Sequence, residues 1–472
     1  MNPDKGEKFL LSEMSLSNTR HSLEELSGWL KKRNTEVRVN IEKTRFSKLS
    51  QWYFEEGTGN LRHDSGKFFS IEGVHVRTNF NRIRQWSQPI INQPEVGILG
   101  IIAKEFDGVL YFLMQAKIEP GNVNNVQLSP TLQATKSNYT TVHGGSRPTY
   151  LEYFLNRDRH QTLLDQLQSE QGSRFYKKRN RNIIIQVQED IPDHPDFRWL
   201  TLAQIKKLSQ LDDTVNMDTR TVVSGIGVTS LPRAGRHDLL PSGPEGAGTF
   251  PLEMLESCTS RTAHRSIEEI LSWLAEIKTN YELETEKIPL NQVERWINTD
   301  HAIEHEENRF FRVIPVNVEI ESREVKTWSQ PLVQPLQDGI CCFIVKKISG
   351  IYHFLVQAKV ECGNMDIVEL APTVQCLTGG YKDGAIAKVP FLDYVLAADE
   401  SRIRIDTRQS EEGGRFYRES NRNLIVEADD SFPEEIPASY LWMTLAQLKN
   451  FLMYNNFLNI QARSLISLIS YT

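Results

Sequence analysis

The stretch from Val109 to Glu119 reads VLYFLMQAKIE. In an extended strand successive side chains alternate between faces. Phe112, Met114, Ala116 and Ile118 therefore share one side, and Gln115, Lys117 and Glu119 the other. An amide, an ammonium and a carboxylate in a row can do acid–base work. The lysine can steady negative charge developing on an oxygen, and the carboxylate can move a proton. A solvated sheet face carrying a Lys–Glu pair is the plain alternative for a single strand. The pattern occurs twice, however: Gln357, Lys359 and Glu361 stand opposite Val356, Ala358 and Val360. Solvated faces seldom repeat residue by residue, so both strands are read as forming a site.

The neighbouring motifs repeat as well. Each strand enters a Gly-Asn turn, ending at Asn122 in one case and Asn364 in the other. From Gln127 a further strand leads into a polar loop, Lys136 to Gly145, that holds Ser137, Asn138, Tyr139 and His143. The matching stretch keeps Tyr381 but lacks the Ser-Asn pair and the histidine, and Gln127 is replaced by Glu369. A third segment, Gly172 to Asn182, carries Arg174, Phe175, Asn180 and Arg181. Guanidinium groups grip phosphate in pairs of hydrogen bonds, and an aromatic ring can stack on a base. Its counterpart keeps Arg415, Phe416, Tyr417 and Arg422 but has Arg418, Glu419 and Ser420 in place of Lys177, Lys178 and Arg179. Trp86-Ser-Gln-Pro returns as Trp328-Ser-Gln-Pro. The first copy is the more cationic and the richer in acid–base groups, so it is the expected working site. The second is expected to form a related, degenerate pocket of Trp328, Lys359, Glu361, Asn364, Tyr381, Arg415 and Arg422.

A repeat this long is a duplicated domain, since solenoid units run about 20–50 residues. Each copy opens with a helix announced by a capping box, Ser22 to Glu25 and Ser266 to Glu269. Strands follow at Phe68 to Val76, Val96 to Ala103, Phe310 to Ile320 and Gly339 to Lys347, and a closing helix starts at Thr201 or Thr444. A Gly/Pro/Ser-rich linker separates the copies. The division is residues 1–223, linker 224–250 and residues 251–472, each copy of the α+β class with a mixed or antiparallel sheet.

The 472 residues are 39% apolar and 24% charged, ordinary for a soluble globular protein, with net charge −7. That balance argues against a general nucleic-acid binder. No signal peptide or membrane-spanning run is expected. All five cysteines lie in the second copy, which is no shared disulfide framework and fits a reduced cytoplasm. Dinucleotide, Walker and zinc motifs are absent, so neither a nicotinamide nor a metal ligand set is expected.

Taken together, these segments resemble the NDP-hexose 2,3-dehydratase family of deoxysugar biosynthesis. The resemblance rests on Trp86-Ser-Gln-Pro-Ile90, Gln115-Ala-Lys-Ile-Glu-Pro-Gly-Asn122, Gln127-Leu-Ser-Pro-Thr131, Ser137-Asn-Tyr139, His143-Gly-Gly145, Glu170-Gln-Gly-Ser-Arg174 and Arg179-Asn-Arg-Asn182. It covers most of both copies. It implies a Nudix-like fold for each, a homodimer, a dTDP-linked 4-keto-6-deoxyhexose substrate and a 3-ketoreductase acting on the product. The carboxylate box of Nudix hydrolases stands in neither copy. The implied reaction removes the C3 proton acidified by the C4 ketone and expels the C2 hydroxyl, giving a 3,4-diketo-2,6-dideoxy sugar without a redox cofactor. Arg174 and Arg181 would hold the pyrophosphate, and Trp86 or Phe175 the base. Lys117 would steady the enolate, and Glu119, Tyr139 and His143 supply the proton-transfer pair. Gln115, Asn122, Gln127, Ser137, Asn138 and Asn180 complete the expected contacts. A Nudix-type pyrophosphohydrolase and a non-catalytic sugar-nucleotide-binding protein are the alternatives.

Overall fold

Apolar alternation and β-branched runs build two seven-stranded mixed sheets. The structure is a computed structural model that describes residues 3–80, 83–139, 146–228, 250–377 and 389–472. The first sheet orders Gln161–Ser169, Arg179–Gln186, Gly97–Phe106, Val109–Ile118 and Phe197–Leu200, with two short strands, Val126–Ser129 and Leu132–Ala134, on its flank. Only the Gly97–Phe106 and Arg179–Gln186 pair is parallel. The second copy repeats the arrangement around the parallel pair of Gly339–Ile348 and Ser420–Glu427. The expected inward face is observed: Phe112, Met114, Ala116 and Ile118 all enter one apolar core.

The capping boxes form as read. Ser22 and Glu25 start the helix Leu23–Glu36, and Ser266 and Glu269 start Ile267–Asn280. Thr201 and Thr444 cap the helices Leu202–Ser209 and Leu445–Leu452 in the same way. Two further helices, Met217–Ser224 and Ile460–Ser467, lie beyond these and are wholly buried. Their arginines cross between the copies. Arg220 Nε donates to Ser464 Oγ at 2.8 Å, and Arg463 Nε donates to Thr221 Oγ1 at 2.7 Å. The remaining guanidinium hydrogens meet backbone carbonyls, among them Ser410 O and Ser169 O. Burial lowers both side chains to a pKa of about 10.

Each copy also lends the other a strand. Val39–Lys43 of the first pairs antiparallel with Phe311–Ile320 of the second, and Leu283–Ile288 of the second pairs with Ser70–Thr78 of the first. Two five-stranded sheets result, each containing strands from both copies.

The Gly-Asn turns are the joints of this exchange. Gly121 N donates to Gly413 O at 2.7 Å, and Gly363 N donates to Gly172 O at the same distance. A Cβ on Gly121 would lie 1.6 Å from Phe416 O, and one on Gly363 1.7 Å from Phe175 O. No side chain fits there, which is a physical reason for glycine at both positions. Phe175 and Phe416 meet edge-on at the centre of the joint, 5.9 Å apart. Among the described residues no helix is long and apolar enough to cross a membrane, and all five cysteines are free thiols.

Candidate active site

Lys117 and Glu119 end the strand Val109–Ile118 where it runs into the joint, and both are buried. They stand on the floor of a cavity of about 540 Å³, within the usual 300–1,000 Å³ of small-molecule sites. Lys117 Nζ lies 3.8 Å from Glu119 Oε1. Burial lowers the lysine's pKa, while the Glu119 charge pulls it back up. Gln133 Nε2 donates to the same Glu119 oxygen at 2.8 Å, and Asn216 Nδ2 holds Gln133 in turn at 3.3 Å. Glu119 Oε2 is buried with no protein partner. The polar face read from the sequence is thus one wall of a cavity.

The rest of the wall comes from both copies. Trp52, His63, Phe68 and Phe69 of the first copy and Trp328 of the second make an aromatic side. Arg415 of the second copy enters with its guanidinium 4.2 Å over the Phe69 ring, and Glu412 accompanies it. Burial raises the pKa of Glu412 to about 7. Lys178, Asn180 and Asp218 close the far side.

The second cavity, about 350 Å³, is the mirror arrangement. It holds Lys359, Glu361, Gln375 and Asn421 of the second copy, with Arg174 and Gln171 from the first. Gln375 donates to Glu361 at 3.1 Å and receives Asn459 at 2.7 Å, as in the first site. Arg174 stacks 4.2 Å over Phe311. Where the first cavity has Lys178 and Asp218, the second has Glu419 and Gln461.

Several expectations are corrected by this crossing. Arg174 does not join Lys117, because its segment docks into the other copy and delivers it beside Lys359; Arg415 makes the reciprocal move. Trp328 likewise lines the Lys117 cavity, while Trp86 packs with Val74, Val76, Ile90 and Cys362 outside it. Phe175 is core and cannot stack on a base. Arg181 pairs with Asp165 at 2.7 and 2.6 Å on the sheet surface, and Arg422 does the same with Asp406 at 2.9 and 2.6 Å.

Gln127 turns away from the cavity to accept from Ser410 Oγ at 2.9 Å, a contact between the copies. Asn122 and Asn364 serve the joints, each against a glycine of the opposite copy. Gln115 is half-buried and lies outside the cavity lining. Ser137 fixes Glu95 at the cavity's edge, its Oγ donating at 2.8 Å. Lys136–Tyr139, expected as loop, form one helical turn. Asn138 and Tyr139 are described by backbone only, and His143 and Tyr381 lie outside the described residues.

Asp218, Glu412 and the first copy's share of the aromatic side, Trp52, His63, Phe68 and Phe69, were missed. Extending the repeat past Gln204 would have set Asn216 and Arg220 against Asn459 and Arg463, and so exposed Asp218 facing Gln461.

The profile of a family described as NDP-hexose 2,3-dehydratase matches residues 23–226 and again residues 267–469. The chain belongs to the NDP-hexose 2,3-dehydratase family. Both matches contain one Lys–Glu strand, so the family unit is the duplicated copy itself. Three relatives carry the description dTDP-4-dehydro-6-deoxy-alpha-D-glucopyranose 2,3-dehydratase. One, from Saccharopolyspora spinosa, is 46% identical over 464 residues, which is 98% of this chain and 94% of the relative. Another, from Amycolatopsis orientalis, is 42% identical over 99% of this chain and 94% of its own length. The third, from Streptomyces violaceoruber, is 43% identical over 93% and 95%. A dehydratase of this family is a hydro-lyase.

Proposed function

We propose that this dehydratase acts on a dTDP-linked 4-keto-6-deoxyglucose and eliminates its C2 hydroxyl, giving the 3,4-diketo-2,6-dideoxy sugar. The carrying observation is the buried Lys117–Glu119 pair in a cavity roofed by aromatic rings and Arg415. A cation beside the C4 oxygen lowers the cost of forming the enolate. The Glu119 carboxylate, together with Tyr139 and His143 of the repeated motifs, supplies the candidates for moving the C3 proton. Arg415 takes the pyrophosphate role expected of Arg174, and Trp328 or the Phe68–Phe69 side takes the base. The second cavity keeps a lysine, a glutamate and an arginine and is read as a related pocket that does not turn over substrate.

The mixed sheet with one parallel pair and flanking helices supports a Nudix-like unit for each copy. Residues 1–223 and 251–472 are taken as the duplicated units, joined by 224–250. A homodimer in the cytoplasm and a ketoreductase that consumes the reactive diketone complete the reading. The test supplies the 4-keto-6-deoxy sugar nucleotide without NAD(P)H and traps the product with an aromatic diamine. A quinoxaline is expected. Its absence with intact substrate overturns the reading, and release of nucleoside monophosphate would replace it with hydrolysis.

A further inference from the structure

Asp218 sits at the second position of the helix Met217–Ser224, behind the N-cap Asn216. It is 2% exposed and lines the first cavity with Lys117 and Glu119. Its carboxyl makes no hydrogen bond among the described residues, whereas buried carboxyls kept for structure are satisfied by donors. Arg220, two residues along the same helix, spends its donors on Val215, Ser410 and Ser464 instead. The ionisable groups facing Asp218 are Lys117 and Glu119 from the strand's end, Glu170 and Glu412 from the joint segments, and Arg220 from its own helix. Burial and then the three glutamates raise its pKa well above the ordinary carboxyl range, against the pull of Lys117. The group therefore holds its proton where most carboxyls have lost theirs. In the second cavity the same helical position is Gln461, which lines that cavity but has no acidic proton to give.

We propose that Asp218 is a further catalytic residue, the acid that protonates the departing C2 oxygen. This rests on the dehydratase reading. Removal of the C3 proton leaves its bonding pair in the C3–C4 bond of the enolate. That pair shifts to form the C2–C3 double bond as the C4 carbonyl re-forms and the C2–O bond breaks. The oxygen leaves with the C2–O pair and Asp218's proton, as water. The enol then loses its O3 proton and gains one at C2, so substrate becomes diketone plus one water. Gln461 at the matching place is a sufficient reason for the second cavity to bind without turnover.

The experiment uses the full chain and the 4-keto-6-deoxy sugar nucleotide in deuterated water. Quinoxaline reports elimination, and proton NMR reports deuterium at C3 of recovered substrate. Asp218→Asn is expected to cut elimination roughly 10²-fold or more while substrate still acquires deuterium at C3, with dTDP binding and melting temperature retained. A merely structural residue would lose exchange, elimination and binding together, and that result overturns the proposal. So does elimination within a few-fold of wild type, or loss of exchange and elimination with binding intact. If Asp218→Asn does not fold, Asp218→Gln installs the side chain the second cavity already accommodates and is judged by the same outcomes. A wild-type enzyme that forms no quinoxaline overturns the dehydratase reading itself, which separates the two failures.

Discussion

The two cavities share a plan and differ in charge. Each takes a Lys–Glu pair from one copy and an arginine from the other, and each orients its glutamate through a Gln–Asn relay. The first adds Lys178, Asp218 and Glu412; the second has Glu419, Gln461 and Gln171 at those places. It is also smaller, about 350 against 540 Å³. What separates them is therefore the proton inventory and room for substrate, not the scaffold. A duplicated fold can keep its geometry while one pocket loses its chemistry.

The largest effect that would break this comparison is on turnover. Lys117→Ala should lower the rate of quinoxaline formation about 10²-fold or more, whereas Lys359→Ala should leave it within a few-fold. The reverse outcome means the working cavity is the second, and loss in both means the cavities act together. Next comes the crossed arginine. Arg415→Ala removes a charge-assisted contact worth about 1.5–3 kcal/mol and should raise KM roughly tenfold or more, while Arg174→Ala leaves KM nearly unchanged. Saturation kinetics on the two variants decide it.

The joints should behave alike where the cavities do not. Gly121→Ala and Gly363→Ala each force a Cβ onto a carbonyl oxygen and should lower the melting temperature by similar amounts in calorimetry. A tolerated change at either site would mean the joint is looser than its contacts. The smallest effect concerns pH. Burial lifts Glu369 to a pKa of about 7 and Glu411 to about 8. Each binds its proton more tightly folded than unfolded. The stability this gives is fully present below the unfolded pKa and is lost as pH rises through about 7 to 8. Melting temperature should fall from about pH 4.5 up to about 8, and Glu369→Gln, which copies Gln127 of the first half, should flatten part of the fall.

Local order was legible where local chemistry decides it. The capping boxes at Ser22 and Ser266 form as written, and the alternation from Phe112 to Ile118 gives the buried face. The Lys117–Glu119 wall followed from the same alternation. The crossing did not, because Val39–Lys43 alternates identically whichever copy supplies its neighbour. Nor does the sequence around Arg174 say which lysine it will meet; that is set by a glycine contact on the opposite copy. Part of the repetition read as ligand-holding, at Asn122, Gln127 and Phe175, belongs to the interlock instead. Asp218 sits beyond the motifs that drew attention, on a helix the sequence reading did not reach.

The interlock has a consequence for how this gene can vary. A duplicate freed from its task ordinarily becomes spare, and its changes go unnoticed. Here the second half supplies Trp328, Glu412 and Arg415 to the wall of the Lys117 cavity, so it has no such freedom. Lesions around Arg415 should appear in genetic screens as loss of activity, while lesions at Lys359 in the other cavity pass unseen. The second half is built as a permanently attached subunit whose arm reaches into its twin.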